Sequence, residues 1–186
     1  KNNEQVLILG GGSNLLISDA GFEGTVIRVE SKGNALDYDA CSGGMIEVSA
    51  GEDWDKFVAL TIDKGFADLE SLSGIPGTVG GAPIQNIGAY GVELKDVLHV
   101  LHAWDIKQQQ LVELNNADCV FGYRNSVFKQ IHKGAMVICD VVFKLTKKHA
   151  VKIGYGAIKD QLANHGISAP TIRDVSNAVI AIRSSK

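Results

Sequence analysis

The chain has 186 residues, 45% of them hydrophobic and 21% charged, with a formal net charge of −3. That supplies the core of an ordinary domain and, with no run of Lys or Arg, excludes nucleic acid as an expected partner. No apolar stretch approaches the ~20 residues of a bilayer span and the start lacks a secretory-signal pattern, so a cytoplasmic protein with no membrane partner is expected.

In chain order, "QVLIL" and "TVIRV" read as buried strands, being short, β-branched and bounded by Gly or Asp. The intervening "LLISD" carries strand chemistry too. "MIEVSAG" follows a Ser42-Gly43-Gly44 turn as a further strand. In "EDWDKFVALTIDKG", Trp54, Phe57, Val58, Thr61 and Ile62 fall at helical spacing, and Gly65 suits a left-handed helix end. "VLHVLHAWDI", "LVEL" and "MVICDVVFKL" read as strands, the first two joined by a polar connection. Beyond residue 148 the character changes: a short helix follows Gly156, and "TIRDVSNAVIAIR" forms a longer one. Thr171 and Asp174 suit its capping box, with Ile172, Val175, Val179 and Ile182 on one face.

Cys41, Cys119 and Cys139 have no CxxC or metal-ligand spacing and read as small buried hydrophobes. His99, His102, His132, His149 and His165 are scattered. His99 and His102, three apart in a strand, are expected to face opposite sides. Asp118, Asp140 and Asp160 show no paired-carboxylate spacing, and no metal site is expected.

After the first strand stand Gly10-Gly11-Gly12-Ser13-Asn14-Leu15. A dinucleotide or Walker loop must open a helix, and strand chemistry follows here instead. Two readings remain: a tight turn between strands, or a concavity of main-chain N–H groups able to hold a diphosphate without Lys or Arg. Residues 70–91, "ESLSGIPGTVGGAPIQNIGAYG", contain one charged side chain and interleave glycines with apolar residues. A linker is glycine-rich and polar, so this segment reads as an ordered, neutral wall for a large, flat ligand bearing a diphosphate.

"LILGGGSNLLISDAGFEGTVIRV", "SLSGIPGTVGGAPIQNIGAYGVELKDV" and "FGYRNSVFK" together resemble the UDP-N-acetylenolpyruvoylglucosamine reductase (MurB) family, in order through nearly the whole chain. The resemblance implies an α+β FAD-binding module of the vanillyl-alcohol-oxidase type, with two subdomains over residues 1–148, and the beginning of a substrate-binding domain over 149–186. It implies FAD contacts from Gly10, Gly11, Gly12, Ser13, Asn14 and Leu15, from Ile75, Pro76, Gly77, Gly80 and Gly81, and from Gln85, Asn86, Ile87, Gly88, Ala89, Tyr90 and Gly91. The implied reaction belongs to peptidoglycan precursor synthesis. NADPH reduces FAD, and hydride then passes to the double bond of UDP-N-acetylglucosamine enolpyruvate while an enzyme acid protonates the adjacent carbon, giving UDP-N-acetylmuramate.

Arg124 matches the family's catalytic arginine beside the substrate carboxylate, where a fixed, always-charged fork stabilises growing charge. Tyr123 beside it reads as either a packing residue or a ligand contact, with packing the favoured reading. Tyr155, between Gly154 and Gly156, matches a tyrosine on a loop closing over the substrate diphosphate, and Lys186 matches a lysine at that diphosphate. Arg183 is close to the same site, or else caps its helix. The family's proton-donating serine and late glutamate fall downstream of residue 186, and its first strand and helix upstream of residue 1. The chain therefore reads as a fragment lacking both ends, with weakened FAD occupancy and unable alone to complete substrate reduction. Two alternatives stand beside this: a flavin- or nucleotide-binding module without turnover, and a mononucleotide-binding α/β domain, which requires a helix directly after Gly12.

Overall fold

A computed structural model describes residues 5–39, 42–148 and 151–185. Cys41, His149 and Lys186 therefore lie outside the described residues, as does the expected domain boundary's first residue. Two strands, β1 (Val6–Leu9) and β2 (Thr25–Arg28), pair in parallel from Val6 opposite Thr25 to Leu9 opposite Arg28. The connection between them contains no helix, which excludes the mononucleotide-binding alternative.

The remaining strands are β3 (Asn34–Asp39), β4 (Gly43–Ser49), a two-residue pair β5 (Gly88–Ala89) and β6 (Val92–Glu93), β7 (Leu98–Asp105), β8 (Gln110–Asn115) and β9 (Met136–Thr146). Five of them form an antiparallel sheet in the order β3-β4-β9-β7-β8. Register sets Ile46 opposite Phe143, and Val48 and Leu101 both opposite Val141, placing one apolar row across its centre. Helix α1 (Trp54–Asp63) lays Trp54, Phe57, Val58 and Ile62 into this core, and the Phe57 and Phe143 rings meet with centroids 4.8 Å apart. Asp53 caps its start by accepting from the Lys56 N–H, and Gly65, at φ +76°, ends it in the left-handed conformation its composition predicts.

Two helices follow, α2 (Gly156–Asn164) and α3 (Ile172–Ser184). They share a smaller core of Ile158, Leu162, Val175, Ala178 and Val179, while Ile172 reaches into the main one. The expected capping box is present: Asp174 N–H donates to the Thr171 hydroxyl oxygen and Thr171 N–H to the Asp174 carboxylate. A buried hydroxyl pair, Ser73 to Ser176 at 2.7 Å, and an Arg173–Asp63 ion pair tie α3 to the rest.

Two local readings are corrected. "LLISD" is irregular rather than strand, with Leu16 98% exposed, because no neighbouring strand offers it a ladder. Strand β3 was not expected from its Asn- and Asp-rich sequence; pairing along β4 makes it an edge strand, where polar alternation is tolerated.

Candidate functional site

Strand β1 and the glycine loop after it face residues 75–90 across a cavity of about 710 Å³. The far side is an ordered wall, built of short helical turns at Glu70–Leu72, Val79–Gly81 and Pro83–Gln85. Its main chain is stitched to the start of α1: Trp54 N–H donates to Gly77 O at 3.0 Å, Val79 N–H to Glu52 O at 2.9 Å and Gly80 N–H to Ala50 O at 2.9 Å. The Trp54 indole N–H donates to Leu72 O at 3.1 Å, and Gly74 N–H to the Asp55 carboxylate at 2.6 Å.

On the near side the glycines divide in function. A Cβ on Gly10 would stand 2.9 Å from the Thr78 hydroxyl oxygen, and one on Gly11 3.3 Å from the Gly77 Cα, so both are small because the loop rests on the wall. Gly12 differs: its φ is +74° and a Cβ there meets nothing within 4 Å. The loop is pinned by Ser13 Oγ donating to Pro76 O at 3.3 Å and by Asn14 Nδ2 reaching Gln85 Oε1 at 3.5 Å. Among the described residues the main-chain N–H groups of Gly11, Gly12, Ser13 and Asn14 donate to no partner. Unpaired donors at a glycine bend lining a cavity fit the diphosphate of FAD, and the neutral, partly apolar wall opposite fits its flat rings.

At one end of the cavity Arg124, Tyr155, Tyr90 and Arg183 converge. Tyr90 and Tyr155 meet edge to face with centroids 5.2 Å apart, and the Arg183 guanidinium lies 5.5 Å from the Tyr90 ring centre. Arg183 lines the cavity, its Nε is buried without a partner among the described residues, and no side-chain hydrogen bond from it to the end of α3 is present among them. Of the residues singled out from sequence, 10–15, Ile75, Pro76, Gly77, Gly81, Gln85, Ile87, Gly88, Ala89, Tyr90, Arg124 and Tyr155 line it.

Gly80, Asn86 and Gly91 do not. Gly80 packs on Ala50 behind the wall, and Asn86, 2% exposed, lines an adjoining groove with Gly91, Glu93 and Lys95. Tyr123 is 85% exposed and lines that groove, which counts against packing and leaves its alternative reading, ligand contact. Trp54, Thr78 and Ile84 line the cavity without having been singled out. Thr78 and Ile84 lie within the neutral wall, whereas the pattern of α1 assigned Trp54 to the core alone.

Electrostatics leave the cavity wall uncharged apart from the two arginines. Beneath it Glu70 is buried with Oε2 unpartnered among the described residues, and burial pushes its carboxyl pKa up. Glu93, in the adjoining groove, is held below the usual carboxylate range by hydrogen bonds from Lys95 and Asn86. Cys119 is buried, its thiol pushed up to about 12 by burial, and is inert at neutral pH. Cys139 is half-buried. On the sheet, His102 joins Asp140 at 2.5 Å and Glu113 at 3.4 Å, and its hydrogen bond to Asp140 raises its pKa. Among the described residues no group of His, Cys, Asp or Glu is placed to hold a metal, and no helix is long and apolar enough to cross a membrane.

This parallel ribbon, helix-free loop and antiparallel sheet define the FAD-binding module of the vanillyl-alcohol-oxidase type. The family description "FAD binding domain" matches residues 1–115, and the chain belongs to that family. Among curated proteins it is 46% identical to the UDP-N-acetylenolpyruvoylglucosamine reductase of Flavobacterium johnsoniae, over 99% of this chain and 55% of the relative. It is 48% identical to the enzyme of that name from Neisseria meningitidis serogroup B, over 100% of this chain and 54% of the relative. The chain thus spans about half the length of the curated relatives it matches. Among solved structures, the MurB of Thermus caldophilus aligns with a TM-score of 0.62 at 21% identity, covering 99% of this chain and 83% of that one. A solvent-stable cholesterol oxidase aligns with a TM-score of 0.55 at 14% identity, covering 80% and 31%. At such identities the likeness to the solved structures concerns the fold.

Proposed function

We propose that the chain is the FAD-binding part of an NADPH-driven reductase that converts UDP-N-acetylglucosamine enolpyruvate to UDP-N-acetylmuramate, working in the cytoplasm. The reading rests chiefly on unpaired main-chain donors at Gly11, Gly12, Ser13 and Asn14 opening on the same cavity as Arg124 and Tyr155. Hydride chemistry is supplied by FAD when bound. The loop amides would hold its diphosphate by directed hydrogen bonds, and Ile75, Ile84 and Ile87 would give the apolar contact that orients flat rings and excludes water.

Arg124 holds the substrate carboxylate and stabilises the negative charge that grows toward it as hydride arrives at the neighbouring double bond. Tyr155, flanked by Gly154 and Gly156, covers the substrate diphosphate and donates from its phenol, with Lys186 as a further partner for that group. Residues 149–186 form the start of the domain that carries the UDP-sugar.

The test has two arms. Protein mixed with FAD and passed through gel filtration is expected to keep visible flavin bands at lower occupancy than the intact enzyme, and colourless protein counts against the reading. In the intact enzyme, Arg124→Ala is expected to slow substrate reduction about 10²–10³-fold with flavin retained. An unchanged rate removes Arg124 from the chemistry.

A further inference from the structure

Arg124 belongs to no regular element. It stands in a tight hairpin where Gly122 N–H donates to Asn125 O at 3.0 Å and Asn125 N–H to Gly122 O at 3.2 Å. Its φ is +52°, a left-handed conformation that a non-glycine residue keeps when its surroundings dictate it. Two side chains fasten this hairpin to the wall. On one flank, Asn86 Nδ2 donates to Gly122 O at 3.1 Å and to Glu93 Oε2 at 2.8 Å, while its Oδ1 accepts from Lys95 N–H at 3.0 Å. On the other, the fully buried Ser126 donates its hydroxyl to Ile84 O at 2.6 Å and accepts from Phe128 N–H at 3.2 Å.

The Asn86 amide has one orientation available, since its reverse would set an oxygen against both the Gly122 carbonyl and the Glu93 carboxylate. Both its hydrogens are committed, and it borders the adjoining groove rather than the main cavity, so it is a poor contact for a cofactor in that cavity. It is also left-handed, at φ +45° and ψ +66°, a region that Asn tolerates and that aims its amide across the chain. Resting on the reading of Arg124 as the group that serves the substrate carboxylate, we propose that Asn86, with Ser126 as the second anchor, is a positioning residue: it fixes where Arg124 stands relative to the neutral wall. A guanidinium on a long side chain stabilises developing charge only if its backbone origin is held, and a clamp on both flanks of the turn provides that.

The experiment uses the intact, FAD-loaded enzyme with Asn86→Gly, which keeps the left-handed backbone and deletes the amide, and with Ser126→Ala. Three readouts are taken: flavin retention, the rate of flavin reduction by NADPH, and the rate at which UDP-N-acetylglucosamine enolpyruvate reoxidises the reduced flavin. Both variants are expected to lose about tenfold or more in the third rate while the first two change by less than about twofold. A parallel fall in all three, or no fall in the third, overturns the clamp. Should Asn86→Gly fail to accumulate, Ser126→Ala decides by the same readouts. Arg124→Ala runs beside them: an unchanged third rate there removes the reading of Arg124 and the clamp with it. A large loss in Arg124→Ala alone removes only the clamp.

Discussion

The wall of residues 70–91 faces β1 and its glycine loop across one cavity, yet the support of the wall and of the β1–β2 ribbon is opposite in kind. The wall stands on Trp54, Leu72 and Val79, all fully buried, and is hydrogen-bonded to the start of α1; the ribbon leaves Val6, Val26 and Ile27 about half exposed. The loop after β1 takes its place by resting Gly10 and Gly11 on Thr78 and Gly77. One side is therefore preorganised by the core, and the other is positioned by contact with it. Stability and ligand binding should respond differently to substitutions on the two sides.

The largest expected effect is on the supported side. Trp54→Ala removes the indole that packs on Phe57 and Phe143 and bonds Leu72 O, and should cost about 3–5 kcal/mol in urea unfolding together with flavin retention. A loss below about 1 kcal/mol would break the comparison, since the wall would then not depend on the core beneath it.

Next is Gly10→Ala, whose Cβ would crowd the Thr78 hydroxyl and lift the loop. It should weaken flavin binding about tenfold with an unfolding midpoint close to the parent's, and Thr78→Ala in the same chain should recover most of the loss. Equal weakening with and without Thr78→Ala would mean that the loop is not seated on the wall.

The smallest effect sharpens the picture of what lies beneath. Burial raises the Glu70 pKa, so the stability this group contributes is full below its ordinary value of 4.5 and is lost as pH rises through the raised one. Glu70→Gln removes that loss, and its melting temperature relative to the parent should climb as pH rises from the ordinary carboxyl value of 4.5 through the raised one. A flat difference across that range would mean that the carboxyl is solvated.

Much of this was readable from the chain because the signals are local. Helix α1 follows from apolar residues at helical spacing between Asp53 and Gly65, and α3 from the pair Thr171 and Asp174 before an apolar stripe. The neutral, glycine-rich wall was legible by composition, because an ordered groove and a linker differ in whether apolar residues accompany the glycines. Strand β3 was not legible, since its ladder comes from β4 and its own residues disfavour strands. Asn86 was legible as part of a motif yet not as a side chain turned away from the cavity, because its direction depends on Glu93, Lys95 and Gly122.

The sequence by itself determined the three helices and most of the longer strands, the absence of a helix after Gly12 and the neutral character of the wall, all of which depend on neighbours within a few residues. Only the tertiary structure decided that Gly10 and Gly11 serve loop docking while Gly12 faces open space, that Arg183 comes to lie over Tyr90, and that His102 sits between Asp140 and Glu113. These juxtapositions join residues far apart in the chain. Their geometry is set by packing and hydrogen bonding across the core, which no local pattern encodes.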